Sequence, residues 1–134
     1  FKTISLKSTP FKFRLNNLNL KGVLFKEIVF TPRFIPEKSI SPKYKDEKCY
    51  GIEIDIINRE SSSPLLITAN IINIVSDLHP ENFKFNKDNF FDKLYGSDKL
   101  RSSILSNKDL DILFKKWKND SDNFKQIRKQ FLIH

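Results

Sequence analysis

The residues able to do chemistry are few and widely spaced. Glu53 and Asp55 stand two apart in an alternating apolar run, so their carboxylates share one face of a strand. Paired carboxylates can serve as general acid and base, or as the two groups of a glycosidase. The plainer reading is the solvent side of a half-buried strand, which alternation alone predicts. His79 and His134 are the only histidines, and no nucleophile-elbow sequence accompanies either. His79 falls where a helix should end and can bond its last carbonyls. Cys49 is the single thiol. It opens a strand without a helix start beside it, which favours a buried, inert role over a nucleophilic one. One cysteine makes no internal disulfide. No Cys/His cluster speaks for a metal, and three glycines make no phosphate loop. No cofactor is expected. Arg101 and Arg128 lie in helical segments, where they can grip a carboxylate through two parallel bonds or form ion pairs within the fold.

The elements that must position these groups follow from periodicity and breakers. Residues 1–9 read as polar and irregular. Phe11, Leu15 and Leu18 have helical spacing, and Gly22 suits the end of that segment. Val23 to Phe30 and Cys49 to Ile57 read as strands. Between them, Thr31 to Lys48 carries Pro32, Pro36 and Pro42 and many charges, so regular structure is not expected. A loop that long in a compact domain is uncommon and often functional. Ser63-Pro64 resembles a helix start, followed by an apolar stripe to Leu78. Phe83 and Phe85 suggest a short strand. Two short helices follow, the first stopped at Gly96 and the second capped by Ser97. Ser106 with Asp109 resembles a capping box opening a long helix, in which Leu110, Leu113, Phe114, Trp117, Phe124, Ile127 and Phe131 read as core. Phe131 to His134 suggests a closing strand. Strands early and helices late give an α+β class: a small mixed β-sheet from the N-terminal half packed against helices, and a helix-rich C-terminal half.

The chain has 134 residues and a net charge of +8, with 24 basic against 16 acidic groups. Such a balance invites a nucleic-acid partner. Lysine supplies 19 of the basic residues and arginine only 5. Nucleic-acid binders favour the planar arginine fork, so nucleic acid is disfavoured and solvated lysine preferred. An anionic polymer stays open as an alternative partner. The chain contains no methionine, so it is expected to be a piece of a longer polypeptide. Its first residues do not look like a signal peptide, and no apolar stretch reaches the length of a membrane span.

An ordered set of short motifs narrows the reading. The chain carries Leu18-Asn19-Leu20, Gly22-Val23, Phe30-Thr31-Pro32 with Phe34, Cys49-Tyr50-Gly51-Ile52-Glu53-Ile54 and Asn58-Arg59. Further on stand His79-Pro80 with Phe83, Phe91-Asp92-Lys93-Leu94-Tyr95-Gly96 and Leu100-Arg101. Trp117, Phe124, Arg128 and Phe131-Leu132-Ile133-His134 close the series. In order and spacing this resembles the C-terminal part of the NamZ-like exo-β-N-acetylmuramidases, from about Leu15 to the end. Family members tend to end in Tyr where this chain has His134, and many carry Gly where it has Asn107.

The resemblance implies a larger glycoside hydrolase that releases N-acetylmuramic acid from peptidoglycan fragments. Residues 1–14 would be a linker or the cut end of a preceding domain, and 15–134 a C-terminal accessory domain. A Rossmann-like N-terminal domain upstream would hold the catalytic carboxylate, so no catalytic residue is expected in this chain, which alone would be inactive. The implied partners are that domain and a peptidoglycan-derived sugar, and the implied location is periplasmic or cell-envelope. A cleft between domains is a common ligand site. Within this chain the candidates for its wall are Phe30, Arg33, Phe34, Lys43, Tyr44, Cys49 and Arg59. Aromatic faces would meet the sugar, and the cations its lactyl or peptide carboxylate. Against this, Phe30 and Phe34 can equally be anchors that tie the loop to the core.

Overall fold

The computed structural model describes residues 8–132, in the order α1 (Ser8–Asn17), β1 (Val23–Phe30), β2 (Cys49–Ile56), α2 (Pro64–Leu78), α3 (Phe90–Tyr95), α4 (Lys99–Leu105) and α5 (Leu110–Arg128). A single 3-10 turn, Lys129–Phe131, follows α5. The class is α+β. Among the described residues the sheet is antiparallel rather than mixed, because β1 and β2 are its two strands and pair with each other. The chain divides after Phe83 into two compact units.

In the first unit a short helix and a long one support the hairpin. Phe11 and Leu15 of α1, Val23 and Phe25 of β1, and Ile67 and Ile74 of α2 form one buried cluster. Leu20, Ile52, Ile71, Val75 and Leu78 pack around it. Phe11, within the stretch 1–14 set apart in the sequence, is buried against this unit. From Ser8 onward that stretch is helix, and one of its side chains is core. Residues 1–7 lie outside the described residues. Arg14 Nη2 reaches Asp77 Oδ2 of α2 at 3.1 Å, an exposed pair of small energetic weight.

Register follows from the apolar pattern. Val23↔Ile56, Phe25↔Ile54, Glu27↔Ile52 and Val29↔Tyr50 face one side; Leu24↔Asp55, Lys26↔Glu53, Ile28↔Gly51 and Phe30↔Cys49 face the other. At the foot of the hairpin Gly22 has φ +72 and its carbonyl accepts from the amides of Ile57 and Asn58 at 3.0 and 3.2 Å. A Cβ there would collide with the Asn58 carbonyl and stand 2.7 Å from Ser61 Oγ. The end of α1 is instead turned by Asn19, with φ 48. Helix α2 starts at Pro64, whose preset φ suits a first helical position. The Ser63 side chain makes no capping bond; its backbone carbonyl accepts from Ile67 N–H.

The second unit is helical. Gly96, with φ 71, ends α3, and Ser97 Oγ accepts from the Lys99 amide at 3.2 Å to open α4. The Asp92 carboxylate of α3 takes Arg101 Nε at 2.9 Å to both oxygens and Nη2 at 2.7 Å. Arg101 is thus used within the fold, and the bond to Asp92 favours its charged form. Burial holds the Tyr95 hydroxyl protonated above its ordinary range. Asn107 has φ 49, a conformation glycine adopts without strain.

Four local expectations give way. Phe83 and Phe85 form no strand; the Phe85 ring sits 4.8 Å from that of Phe91 instead. The cap of α5 is Asp109, not Ser106, because the Asp109 carboxylate reaches the Asp111 amide at 2.8 Å. Phe131 and Leu132 are a 3-10 turn and its exit rather than a strand, with Ile133 and His134 outside the described residues. Of the α5 stripe, Leu110 and Leu113 are buried, whereas Phe124, Ile127 and Phe131 are exposed.

Two substitutions test the first unit. Leu15 is 0% exposed, so Leu15→Ala should lower the unfolding free energy by roughly 2–5 kcal/mol, read by denaturant titration. Gly22→Ala should cost more than about 1 kcal/mol, because it combines a disfavoured φ with a backbone collision. A wild-type midpoint for either would mean the foot of the hairpin is not built this way.

Candidate functional site

The hairpin holds the 31–48 loop at its free end, beyond the Phe30↔Cys49 pair. The loop lacks strands of its own but is tied by its backbone. The Asp46 amide donates to the Pro32 carbonyl at 2.9 Å, closing the loop across its base. Ile35 and Ser39 exchange bonds of 3.0 and 2.8 Å, pinching off a small turn at its tip. The Glu47 amide donates to Tyr44 O at 3.1 Å. These bonds hold three non-glycine residues in the left-handed region: Glu37 (φ 62), Tyr44 (φ 60) and Asp46 (φ 62). Aspartate tolerates that region; a bulky tyrosine there is an outlier maintained by its surroundings.

The loop presents aromatic and basic side chains. Phe30 and Phe34 are half exposed, so neither serves as a deep anchor. The Phe30 ring lies over Gly51, where a Cβ would stand 3.3 Å from its Cε1. Glycine at 51 therefore seats the ring, a role the sequence motif did not disclose. Tyr44 is partly buried with Lys43 Nζ 5.1 Å from its ring centroid, and Lys48 Nζ stands 5.5 Å from the Tyr50 ring. Such cation–π contacts fix a ring and a charge together. Tyr50 and Lys48 thus join the site, the signal for them being their place directly beside the loop in β2. Cys49 is partly buried and its thiol faces the Glu47 carbonyl at 3.7 Å, a weak contact.

The loop carries five basic residues, Arg33, Lys38, Lys43, Lys45 and Lys48, against three acidic ones. Among the described residues none of the five enters an ion pair; Lys43 and Lys48 lie against rings, and Arg33, Lys38 and Lys45 have no such contact. Arg59 does not join this cluster. It lies in the turn after β2, at the opposite end of an eight-residue strand and so roughly 20 Å away. Glu53 and Asp55 do share the outer face of the sheet, where Asp55 Oδ2 accepts from Lys26 Nζ at 2.8 Å. That bond is the main cause of the raised Lys26 pKa. His79 ends α2 through its backbone amide, which donates to Val75 O at 3.0 Å.

Two hollows lie away from the loop. One of about 250 Å³ sits at the foot of the hairpin, lined by Asn19, Lys21, Ser61 and Ser63 among others. The other, about 440 Å³, lies between α4 and α5. Among the described residues no cluster of His, Cys, Asp and Glu could hold a metal ion, and no helix is long and apolar enough to cross a membrane.

Comparison with known proteins places this architecture. A crystal structure of a DUF1343 family protein from Bacteroides fragilis superposes with a TM-score of 0.76 at 22% identity, covering 96% of this chain and 33% of that one. The peptidoglycan β-N-acetylmuramidase NamZ of Bacillus subtilis (strain 168) is 29% identical over 129 residues, which are 96% of this chain and 30% of that protein. The chain therefore spans about a third of the length of these relatives. The family model described as exo-β-N-acetylmuramidase NamZ, C-terminal, matches residues 2–134, and the chain belongs to that family.

Proposed function

We propose that this chain is the C-terminal accessory part of an exo-acting β-N-acetylmuramidase that releases N-acetylmuramic acid from peptidoglycan fragments. In this reading the 31–48 loop supplies one wall of the substrate cleft, and an upstream domain supplies the catalytic carboxylate. The observation that carries it is the family match over residues 2–134.

The loop has the chemistry such a wall needs. Phe30, Phe34 and Tyr44 offer apolar faces to a pyranose ring, and Tyr44 is held in a backbone conformation that tyrosine rarely adopts. Arg33, Lys43 and Lys45 suit the lactyl carboxylate of the muramic unit, through charge-assisted bonds that a neutral sugar cannot make. Cys49 and Gly51 hold the base of the wall; Arg59 stands apart from it. Peptidoglycan lies outside the cytoplasmic membrane, so the polypeptide works in the periplasm or cell envelope. Fractionation with an antibody against this chain tests that location, and a purely cytoplasmic signal would refute it. The net charge of +8 favours one second reading, a non-catalytic module for an anionic wall polymer or nucleic acid. Phosphate binding weakens steeply with salt, whereas recognition of sugar hydroxyls does not.

The deciding assay is hydrolysis of a chromogenic N-acetylmuramide by the full-length polypeptide, with this chain tested alongside. Turnover by the former alone supports the accessory role; turnover by neither leaves the resemblance as one of fold. Replacing Lys43 and Tyr44 together by Ala in the full-length polypeptide should raise KM about tenfold or more, the weight of a lost charge-assisted bond. Unchanged substrate binding would remove the loop from the cleft.

A further inference from the structure

The apolar side of α5 has two halves with different fates. At 3.6 residues per turn Leu110, Leu113, Phe114, Trp117, Phe124 and Ile127 fall on one side of the helix, and Phe131 continues their line. The first half is covered, with Leu110 and Leu113 buried where α4 packs on α5 and Leu100 and Ile104 are also buried. The second half is bare: Phe124, Ile127 and Phe131 are 62, 57 and 74% exposed. The reason is length. Helix α5 has 19 residues and runs roughly 28 Å, whereas α4 has 7 residues and α3 has 6, which makes each about 10 Å. These partners are too short to cover it. Single exposed apolar residues need no explanation, but three in register along the end of one helix, with half-exposed Leu132 beside them, form a patch of the kind that marks an interface. The ion pair Lys125 Nζ to Asp122 Oδ1, at 3.0 Å, lies on the other side of the helix and does not cross the stripe.

We propose that the Phe124–Ile127–Phe131 stripe is the seat of the upstream part of the same polypeptide. The inference rests on the reading of this chain as a C-terminal accessory domain. It names the surface through which that domain is held. The relatives are about three times as long as this chain, so about two-thirds of such a polypeptide is at hand to supply the cover. Asp120 and Arg128 flank this end of the face, and three large apolar side chains between them suit a lasting contact better than a transient, wet one.

The test places Phe124→Glu, Ile127→Glu and Phe131→Glu together in the full-length polypeptide and in this chain alone. The chain alone should keep its circular dichroism and a melting midpoint within about 2 °C of the wild type, since the three side chains are exposed and glutamate suits a helix. In the full-length polypeptide the same changes should split one melting transition into two and speed tryptic release of this domain about tenfold or more. If the triple variant fails to fold alone, Ile127→Glu with the same readouts decides. A full-length variant that melts and digests like the wild type overturns the proposal. So does a wild-type dimer that the changes dissociate into protease-resistant monomers, for the stripe then seats a second copy. Muramidase activity is scored separately: a docked but inactive polypeptide refutes the proposed function and leaves the docking surface standing.

Discussion

A two-stranded hairpin in water is marginal at best, and everything at its free end depends on what covers one of its faces. Here the cover is the cluster of Phe11, Leu15, Val23, Phe25, Ile67 and Ile74, drawn from two helices and one strand. Removal of this apolar surface from water is the main favourable term available to the unit. It also fixes the register, because a slip of one residue would turn Val23 and Phe25 to solvent. The close approach of Gly22 to Asn58 lets the chain leave β2 and enter α2 without opening the foot of the hairpin.

With the foot secured, the loop at the other end can carry strain. Three left-handed non-glycine residues are tolerated because backbone bonds at the base and tip of the loop leave few alternatives. The consequence is a surface with fixed ring and ammonium positions. Fixed groups lose less entropy on meeting a ligand than mobile ones. Glycine at 51 belongs to this arrangement, since a side chain there would crowd the Phe30 ring.

The second unit obeys a different constraint. Its short helices are joined by the Asp92–Arg101 pair and by the buried contact of α4 with the first half of α5. The remainder of α5 extends past them. A helix of this length gains most of its stability from tertiary packing rather than propensity, so its apolar second half is a feature that the fold of the unit itself does not explain.

Local rules in the sequence determined the two strands, the helical segments, the stop at Gly96 and the α+β class, because periodicity and turn chemistry act within a few residues. The order of short motifs was enough to mark the family. What the sequence could not disclose were the facts that depend on distance through space. Phe11 is buried because α2, some fifty residues on, packs in the same cluster. Phe83 and Phe85 look like strand, yet among the described residues the sheet consists of β1 and β2, and the Phe83 amide bonds to the His79 carbonyl in a turn instead. Asp109 outcompetes Ser106 as a cap because its carboxylate meets the Asp111 amide once the chain has turned. Phe124, Ile127 and Phe131 carry the same periodic signal as Leu110 and Leu113. Periodicity names the face that a helix buries; only the lengths of its neighbours decide how far along the helix that burial extends.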